Sequence, residues 1–359
     1  MLNRRNLSVA LVGWIWARVC VAAGFLVAHQ LTPDPVLAAK EDFPLPRGLL
    51  AWDGFFYEKL TVGWYGGTPS DGVRFFPGFP ALGRLLSPLT FGHAGAGLVV
   101  INNVAALIGA VVLAQLAREA LRDDDTADRT AWMIAVIPAA LALVLAYSEG
   151  LALCATAATL LALHRRAFAW AGAFAAAACL VRPTGLLLLV PIGIEVLRAR
   201  PRLVPAITAV LAPLAGFATS LAVIFEATGS WTAAFDAQQP IRGDFRNPLI
   251  RAAEAVWGLR YNTDTELVPF VILWFVLLGV AIWKRQPLSW IAFSAVTLLV
   301  ACSSQTIDSI GRYGLLAVPL VIALAQWADR RWRSVLVACC SSVGLVVMTA
   351  QVLQGRIVP

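Results

Sequence analysis

Residues 94–117 read AGAGLVVINNVAALIGAVVLAQLA, apolar and small residues without a single charge. A helix rises about 1.5 Å per residue, so a run of this length crosses the roughly 30 Å hydrocarbon core of a bilayer. Comparable runs recur along the chain. They place spans at 7–31, 94–117, 130–147, 149–164, 167–181, 184–197, 203–226, 267–283, 287–302, 313–327 and 334–353. Composition agrees: 59% of the 359 residues are hydrophobic and 14% charged, where soluble domains carry about 25% charge. The expected fold class is an all-α polytopic membrane protein of about eleven transmembrane helices, one integral membrane domain over residues 1–359.

Alternating the spans from a cytoplasmic Arg4 and Arg5 makes every short inside loop basic. The loops hold Arg118, Arg122 and Arg129; Arg165 and Arg166; Arg198, Arg200 and Arg202; Lys284 and Arg285; and Arg330, Arg331 and Arg333. This is the positive-inside pattern, and it sets the N-terminus in the cytoplasm. Asn3-Arg4-Arg5 before an apolar run from Leu7 resembles a signal sequence, but no small-residue cleavage site stands out, so it is read as an uncleaved first span. Topology accounts for the net charge of +7, and no nucleic-acid partner is implied. Lysine occurs at Lys40, Lys59 and Lys284 alone, and the excess of Arg with abundant Ala points to a GC-rich bacterial genome. The six cysteines fall inside apolar runs, which argues against disulfide staples. Three histidines form no zinc-ligand cluster, so neither metal nor cofactor is expected.

Two outside loops exceed a simple connection, at 32–93 and 227–266. The first opens with Pro33, Pro35, Pro44 and Pro46 and turns aromatic at Trp52-Asp53-Gly54-Phe55-Phe56-Tyr57 and Arg74-Phe75-Phe76-Pro77-Gly78-Phe79-Pro80. Its stretches 49–63 and 78–90 are expected to lie as amphipathic helices in the membrane interface, their aromatics forming a belt. The second contains Trp231, Phe235, Asp236, Arg242, Asp244, Arg246, Arg251, Trp257 and Tyr261. Loops this long are functional or disordered, and the aromatic content argues for function. No internal repeat of the inverted-transporter kind is present.

Charged residues gather at the outer ends of the spans: Asp53, Tyr147-Ser148-Glu149-Gly150, Arg182-Pro183-Thr184-Gly185, and Asp308 with Arg312 and Tyr313. Ionisable groups at a membrane are costly, and they normally pair around a cavity. A carboxylate there can take the proton of a hydroxyl, while guanidiniums hold a phosphate. A sugar donor on a lipid phosphate needs both groups. Plainer roles stand beside these. Asp53 suits the N-cap of a helix beginning near Gly54, Arg182 a snorkelling cation, Glu149 a partner for Arg182, and Arg312 a partner for Asp308. Arg18, near mid-membrane in the first span, needs an ion pair or a lipid phosphate. Arg122-Asp123-Asp124-Asp125 reads as a solvated loop.

Trp52-Asp53 with Tyr57 and Trp64-Tyr65, Arg74-Phe75-Phe76-Pro77-Gly78-Phe79-Pro80 and Arg84-Leu85-Leu86 together resemble the first outer loop of the PIG-V-like mannosyltransferases. These belong to the GT-C class of membrane glycosyltransferases. Tyr147-Ser148-Glu149, Arg182-Pro183-Thr184-Gly185 and Gly311-Arg312-Tyr313 with Pro319 look like the family's later motifs in the same order, so the resemblance covers about residues 50–320. It implies a transferase that uses a polyprenyl-phosphate-mannose donor, and the Arg-rich, Ala-rich composition points to a bacterial, actinobacterial member in the inner membrane. The acceptor would be a hydroxyl of a glycolipid or polysaccharide on the extracytoplasmic face, attacking the sugar carbon with inversion and without a metal. Carried over by position, Asp53 would be the base. Arg182, Arg312 and Arg74 are the candidates for the donor phosphate, and Trp52, Tyr57, Phe75, Phe76, Phe79, Tyr147, Glu149 and Tyr313 for the substrate pocket. One departure is the lone Trp-Asp where paired acids would suit a metal-dependent variant. The rival readings are a flippase for a lipid-linked sugar, which needs charges at several depths, and a non-catalytic envelope-assembly subunit.

Overall fold

A backbone in hydrocarbon must satisfy its own hydrogen bonds, so apolar runs of this kind become helices. The computed structural model describes residues 4–33, 38, 43–67, 70–258 and 267–358. Its first helices are α1 (Arg4–Gln30), α2 (Asp53–Gly63), α3 (Gly78–Leu86), α4 (Ala94–Leu121), α5 (Asp124–Val136), α6 (Glu149–His164) and α7 (Phe168–Val181). There follow α8 (Leu189–Ala199), α9 (Leu203–Thr228), α10 (Pro248–Gly258), α11 (Val268–Trp283), α12 (Leu288–Ala301), α13 (Ile310–Leu316), α14 (Pro319–Trp327) and α15 (Arg331–Leu353). Short helical turns fill the connections, and Phe245 makes an isolated bridge with Ser304.

Among the described residues, α1, α4, α9 and α15 are long and apolar enough to cross a membrane, and α13 with α14 makes a fifth if that pair, bent by 82°, counts as one span. Helices α6, α7, α11 and α12 are apolar but shorter, at 14 to 16 residues. Among the described residues the chain is therefore an all-α membrane protein with four or five candidate spans by length and composition, and the eleven expected are not shown. Three expected spans are broken, each beside a proline. The run at 130–147 is helical to Val136, then tightens into a 3-10 turn at Pro138–Leu143 and runs irregularly to Ser148. The run at 184–197 opens as a 3-10 turn at Pro183–Leu188, and that at 313–327 kinks before Pro319. Proline lacks an N–H and clashes with the preceding turn, which hydropathy does not register.

The break after Val136 leaves carbonyls that the fold must satisfy, and polar residues of α4 do so. Asn102 donates its amide to Ala142 O at 2.8 Å and Leu145 O at 2.7 Å, and its Oδ1 accepts from Gly150 N–H at 2.6 Å. Asn103 donates to Val144 O at 2.9 Å. Arg18 reaches Leu143 O at 3.2 Å and Asn103 Oδ1 at 2.9 Å from its Nε, and stacks over the Trp14 ring at 4.0 Å. Among the described residues its partners are thus neutral, and the ion pair expected as one alternative does not form. The packing of α4 on α6 is tight: a Cβ on Gly150 would meet Asn102 O at 2.2 Å.

At the opposite end of α4, the acidic stretch is exposed, as a solvated segment would be, and it also starts a helix. Asp123 caps α5 by accepting from Thr126 N–H at 3.0 Å, Asp124 pairs with Arg118, and Asp128 accepts from Arg5 Nε at 2.7 Å. In the first loop, helices form at both expected stretches, but their aromatics are no belt. Tyr57, Phe75, Phe76 and Phe79 pack into a common buried cluster with Leu60 and Leu98. The outward surface there is Leu85, Leu89 and Phe91, the last 92% exposed. In the second loop, Pro248–Gly258 is helical, whereas residues 259–266 with Tyr261, and Pro35 of the first loop, lie outside the described residues.

Replacing Asn102 with Leu orphans Gly150 N–H and two carbonyls in an apolar setting, at about 1–3 kcal/mol for each group left unpaired. Thermal unfolding of the Asn102→Leu protein in detergent should show a drop of several degrees against wild type. An unchanged midpoint would remove Asn102 from the account of the break.

Candidate active site

The irregular stretch after Leu143 delivers Tyr147, Ser148 and Glu149 to the mouth of α6, where the first loop meets them. Ala146 N–H donates to Leu49 O at 2.8 Å, joining the two segments. Trp52 sits at a left-handed φ of 56° and donates its indole N–H to Val352 O at 3.0 Å, so it pins the loop to α15. Asp53 then opens α2, and its backbone N–H donates to the Tyr147 hydroxyl at 3.3 Å. No side-chain cap forms at this helix start; the Asp53 carboxylate turns toward arginines.

Arg312 Nη1 lies 2.5 Å from Asp53 Oδ2, and Arg74 Nη2 lies 3.6 Å from Oδ1. The same Arg312 Nη1 reaches Glu149 Oε1 at 3.3 Å, and its Nη2 donates to Ser309 Oγ at 3.0 Å. Arg182 pairs with that Glu149 oxygen and reaches Ser148 Oγ at 3.3 Å, which in turn bonds the Tyr57 hydroxyl at 2.8 Å. The expected tie between Glu149 and Arg182 is present, whereas Arg312 takes Asp53 and Glu149 rather than Asp308. Glu149 has no exposed surface and lies in the first turn of α6, where the helix dipole favours an anion. Its Oε2 and the Nε of Arg312 are buried without a hydrogen-bond partner. Burial pushes the Asp53 carboxyl upward, but the charges of Arg312, Arg74 and Arg182 and the Arg312 hydrogen bond outweigh it. The net result holds Asp53 below its ordinary range.

A cavity of about 310 Å³ opens on this cluster. Asp53, Tyr57, Arg74, Phe75, Phe76, Arg182, Arg312 and Tyr313 line it. Phe79 stands behind Tyr57, edge to face at 4.8 Å, while Tyr147 and Glu149 support the wall from behind and Trp52 anchors the loop away from the cavity. The rest of the lining mixes polar residues, Thr184, Gln238, Ser303, Ser304, Thr306 and Asp308, with apolar ones such as Phe235, Ile241 and Val300. Arg242 is a lining residue that sequence reasoning left in its loop. It donates to Ser309 Oγ at 3.0 Å and sits 5.5 Å above the Tyr313 ring. Its charge in an aromatic outer loop was the signal available. Among the described residues, no three His, Cys, Asp or Glu side chains are grouped to hold a metal ion.

No family model matches the chain, and no curated protein does. Solved structures do. The archaeal oligosaccharyltransferase AglB from Archaeoglobus fulgidus, in complex with an inhibitory peptide and a dolichol-phosphate, matches with a TM-score of 0.52 at 12% identity. The match covers 98% of this chain and 56% of that one. The Archaeoglobus fulgidus oligosaccharyltransferase tethered to an acceptor peptide gives a TM-score of 0.52 at 12% identity, over 99% of this chain and 56% of that chain. The fold resembles that of this oligosaccharyltransferase. This chain spans a little over half the length of the structures it matches, and at this identity the likeness speaks for the fold alone. Membership of the PIG-V-like family is not shown by these comparisons.

The lowered acidity range of Asp53 fixes the sign of a pH effect. A carboxyl whose folded pKa lies below its unfolded value of about 4 contributes stability above that value and loses it as pH falls through the folded one. The stability difference between wild type and Asp53→Asn should stay level from about pH 8 to 5 and shrink below about pH 4. Thermal melts across that range test this, and a difference that persists undiminished at the acid end would contradict it.

Proposed function

We propose that this protein is a GT-C-type glycosyltransferase that moves a sugar from a polyprenyl-phosphate donor to an acceptor hydroxyl, with inversion at the sugar carbon. The observation that carries the reading is Asp53 on a cavity wall with Arg312, Arg74 and Arg182 around it, in a GT-C-like fold. In the reaction, Asp53 accepts the proton of the acceptor hydroxyl as its oxygen bonds to the sugar carbon. The bond from that carbon to the phosphate oxygen breaks, and the leaving lipid phosphate takes up the electron pair. Arg182 and Arg312, with Arg74 at the rim, neutralise the charge that develops there. Guanidiniums suit this because they keep their protons when partly desolvated and present donors in a plane.

The motif resemblance supports mannose as the sugar and a glycolipid or polysaccharide as acceptor. The solved oligosaccharyltransferase held a dolichol-phosphate, which supports a lipid-linked donor here by analogy of fold. The loop charges support an N-terminus in the bacterial cytoplasm and a cavity on the outer face. The flippase reading finds less support, since the one mid-span cation singled out in the sequence, Arg18, caps a backbone break and lines no part of the cavity.

Sugar transfer in proteoliposomes, from synthetic polyprenyl-phosphate mannose to a panel of glycolipid acceptors, tests the proposal. Wild type should transfer, and Asp53→Asn should fall by about 100-fold or more at unchanged folding, the scale of losing a general base. Full activity in Asp53→Asn would keep the enzyme and remove the base. Lipid-linked sugar moved across the bilayer without transfer would replace the enzyme by a flippase.

A further inference from the structure

A second cavity, of about 290 Å³, lies at the other end of α6 from the cluster just described. Glu149 begins this helix and His164 ends it, so its 16 residues separate the two cavities by about 24 Å. The second cavity is lined by His164 and Arg166 of the α6–α7 turn, by Glu195 and Arg198 of α8, and by Ser289 and Trp290 of α12. Its floor is apolar: Leu160, Phe168 and Trp290 are buried. Its mouth is cationic, with Arg166 and Arg198 both exposed and, among the described residues, in no ion pair. The lining also holds a carboxylate, Glu195, whose Oε1 accepts from Ser289 Oγ at 2.6 Å.

Part of this has a plain cause. Helix C-termini favour a cation each, and both α6 and α8 end here. The dipoles do not account for a concave, apolar-floored space between those cations, one of which, Arg166, occupies a left-handed position. Its φ is 57°, at the point where α6 closes with Arg166 N–H on Leu163 O and Ala167 N–H on Ala162 O. Glycine is the ordinary residue at that position, because it carries no Cβ strain there. The same left-handed position is held by Arg122, Arg200 and Arg285 at other helix ends, and of these four it is Arg166 that lines the cavity.

We propose that this cavity binds a phosphate group, carried by an anionic membrane lipid or free, between Arg166 and Arg198. Basic pockets between membrane helices suit lipid headgroups, and the apolar floor suits the glycerol and first chain carbons behind the phosphate. The site is separate from the sugar-transfer cavity and does not rest on that activity.

The backbone position of Arg166 supplies a clean variant. Arg166→Gly removes the cation while easing the turn, so its fold should hold or gain, and Arg198→Gln removes the second cation from an exposed helix end. The purified full-length chain in neutral detergent would be titrated with phosphatidylglycerol, phosphatidylcholine and inorganic phosphate, with bound ligand counted by native mass spectrometry. Wild type should prefer phosphatidylglycerol to phosphatidylcholine, and the double variant should weaken phosphatidylglycerol about tenfold or more, as expected for losing charge-assisted bonds. Binding of inorganic phosphate that the variant loses, without a lipid preference, would support the phosphate site and assign it to a soluble ligand. Equal affinity of wild type and double variant for every ligand, or no binding by wild type, would overturn the proposal.

Discussion

Glu149 is a carboxylate with no exposed surface, and the surrounding structure is arranged to make that tolerable. Taking such a group out of water costs several kcal/mol, which returns only if opposite charges and hydrogen bonds are held close. Here Arg182 and Arg312 converge on one of its oxygens, and the start of α6 lends its dipole. Once fixed in this way, Arg312 has a second nitrogen on Ser309, and the nitrogen that meets Glu149 also meets Asp53. Segments from four distant parts of the chain are thereby joined through a single buried acid. With Arg74 included, two carboxylates face three guanidiniums, an excess of positive charge directed at an anion that enters the cavity.

That acid reaches its position because the chain before it is not helical. Irregular backbone at membrane depth is tolerated where protein groups satisfy it, and Asn102, Asn103 and Arg18 do this for the carbonyls of residues 142–145. Asn102 also holds Gly150 N–H, so the residue that stabilises the break fixes the first turn of α6 as well. Gly150 tolerates no side chain against Asn102, which keeps α4 and α6 at the separation these bonds require. Packing, backbone satisfaction and placement of Glu149 are in this sense one device.

Charges were the legible part of the sequence. Asp53, Glu149, Arg182 and Arg312 stand out because an ionisable group is rare in so apolar a chain, and alternating the spans put them at one end before any contact was known. The aromatic residues of the first loop were legible as a group but not in role. Phe75, Phe76 and Phe79 fit an interfacial belt as well as a buried cluster, and what separates the two is whether α2 and α3 close over them. The breaks at Pro138, Pro183 and Pro319 were hidden because hydropathy averages over a window and an apolar 3-10 turn scores like an apolar helix. Asn102 and Asn103 were lost in the same average, two amides inside the run that most plainly marks a span. Arg242 had no motif around it, and its place on the cavity follows from the contact between the second loop and the residues after α12, which no local pattern encodes.

On the proposed reading, the geometry of Asp53 carries a consequence for when it can act. A carboxylate held below its ordinary range by three arginines is a weak base, and each unit of lowering withholds about 1.4 kcal/mol from proton transfer. The arginine that does most of the holding, Arg312, is also one that a donor phosphate would engage. A phosphate in the cavity brings negative charge toward Asp53 and takes up part of the Arg312 field, and both changes raise the basicity of the carboxylate. The base is then strengthened by the arrival of the donor and weak in its absence, since a single set of guanidiniums serves the resting acid and the bound phosphate in turn.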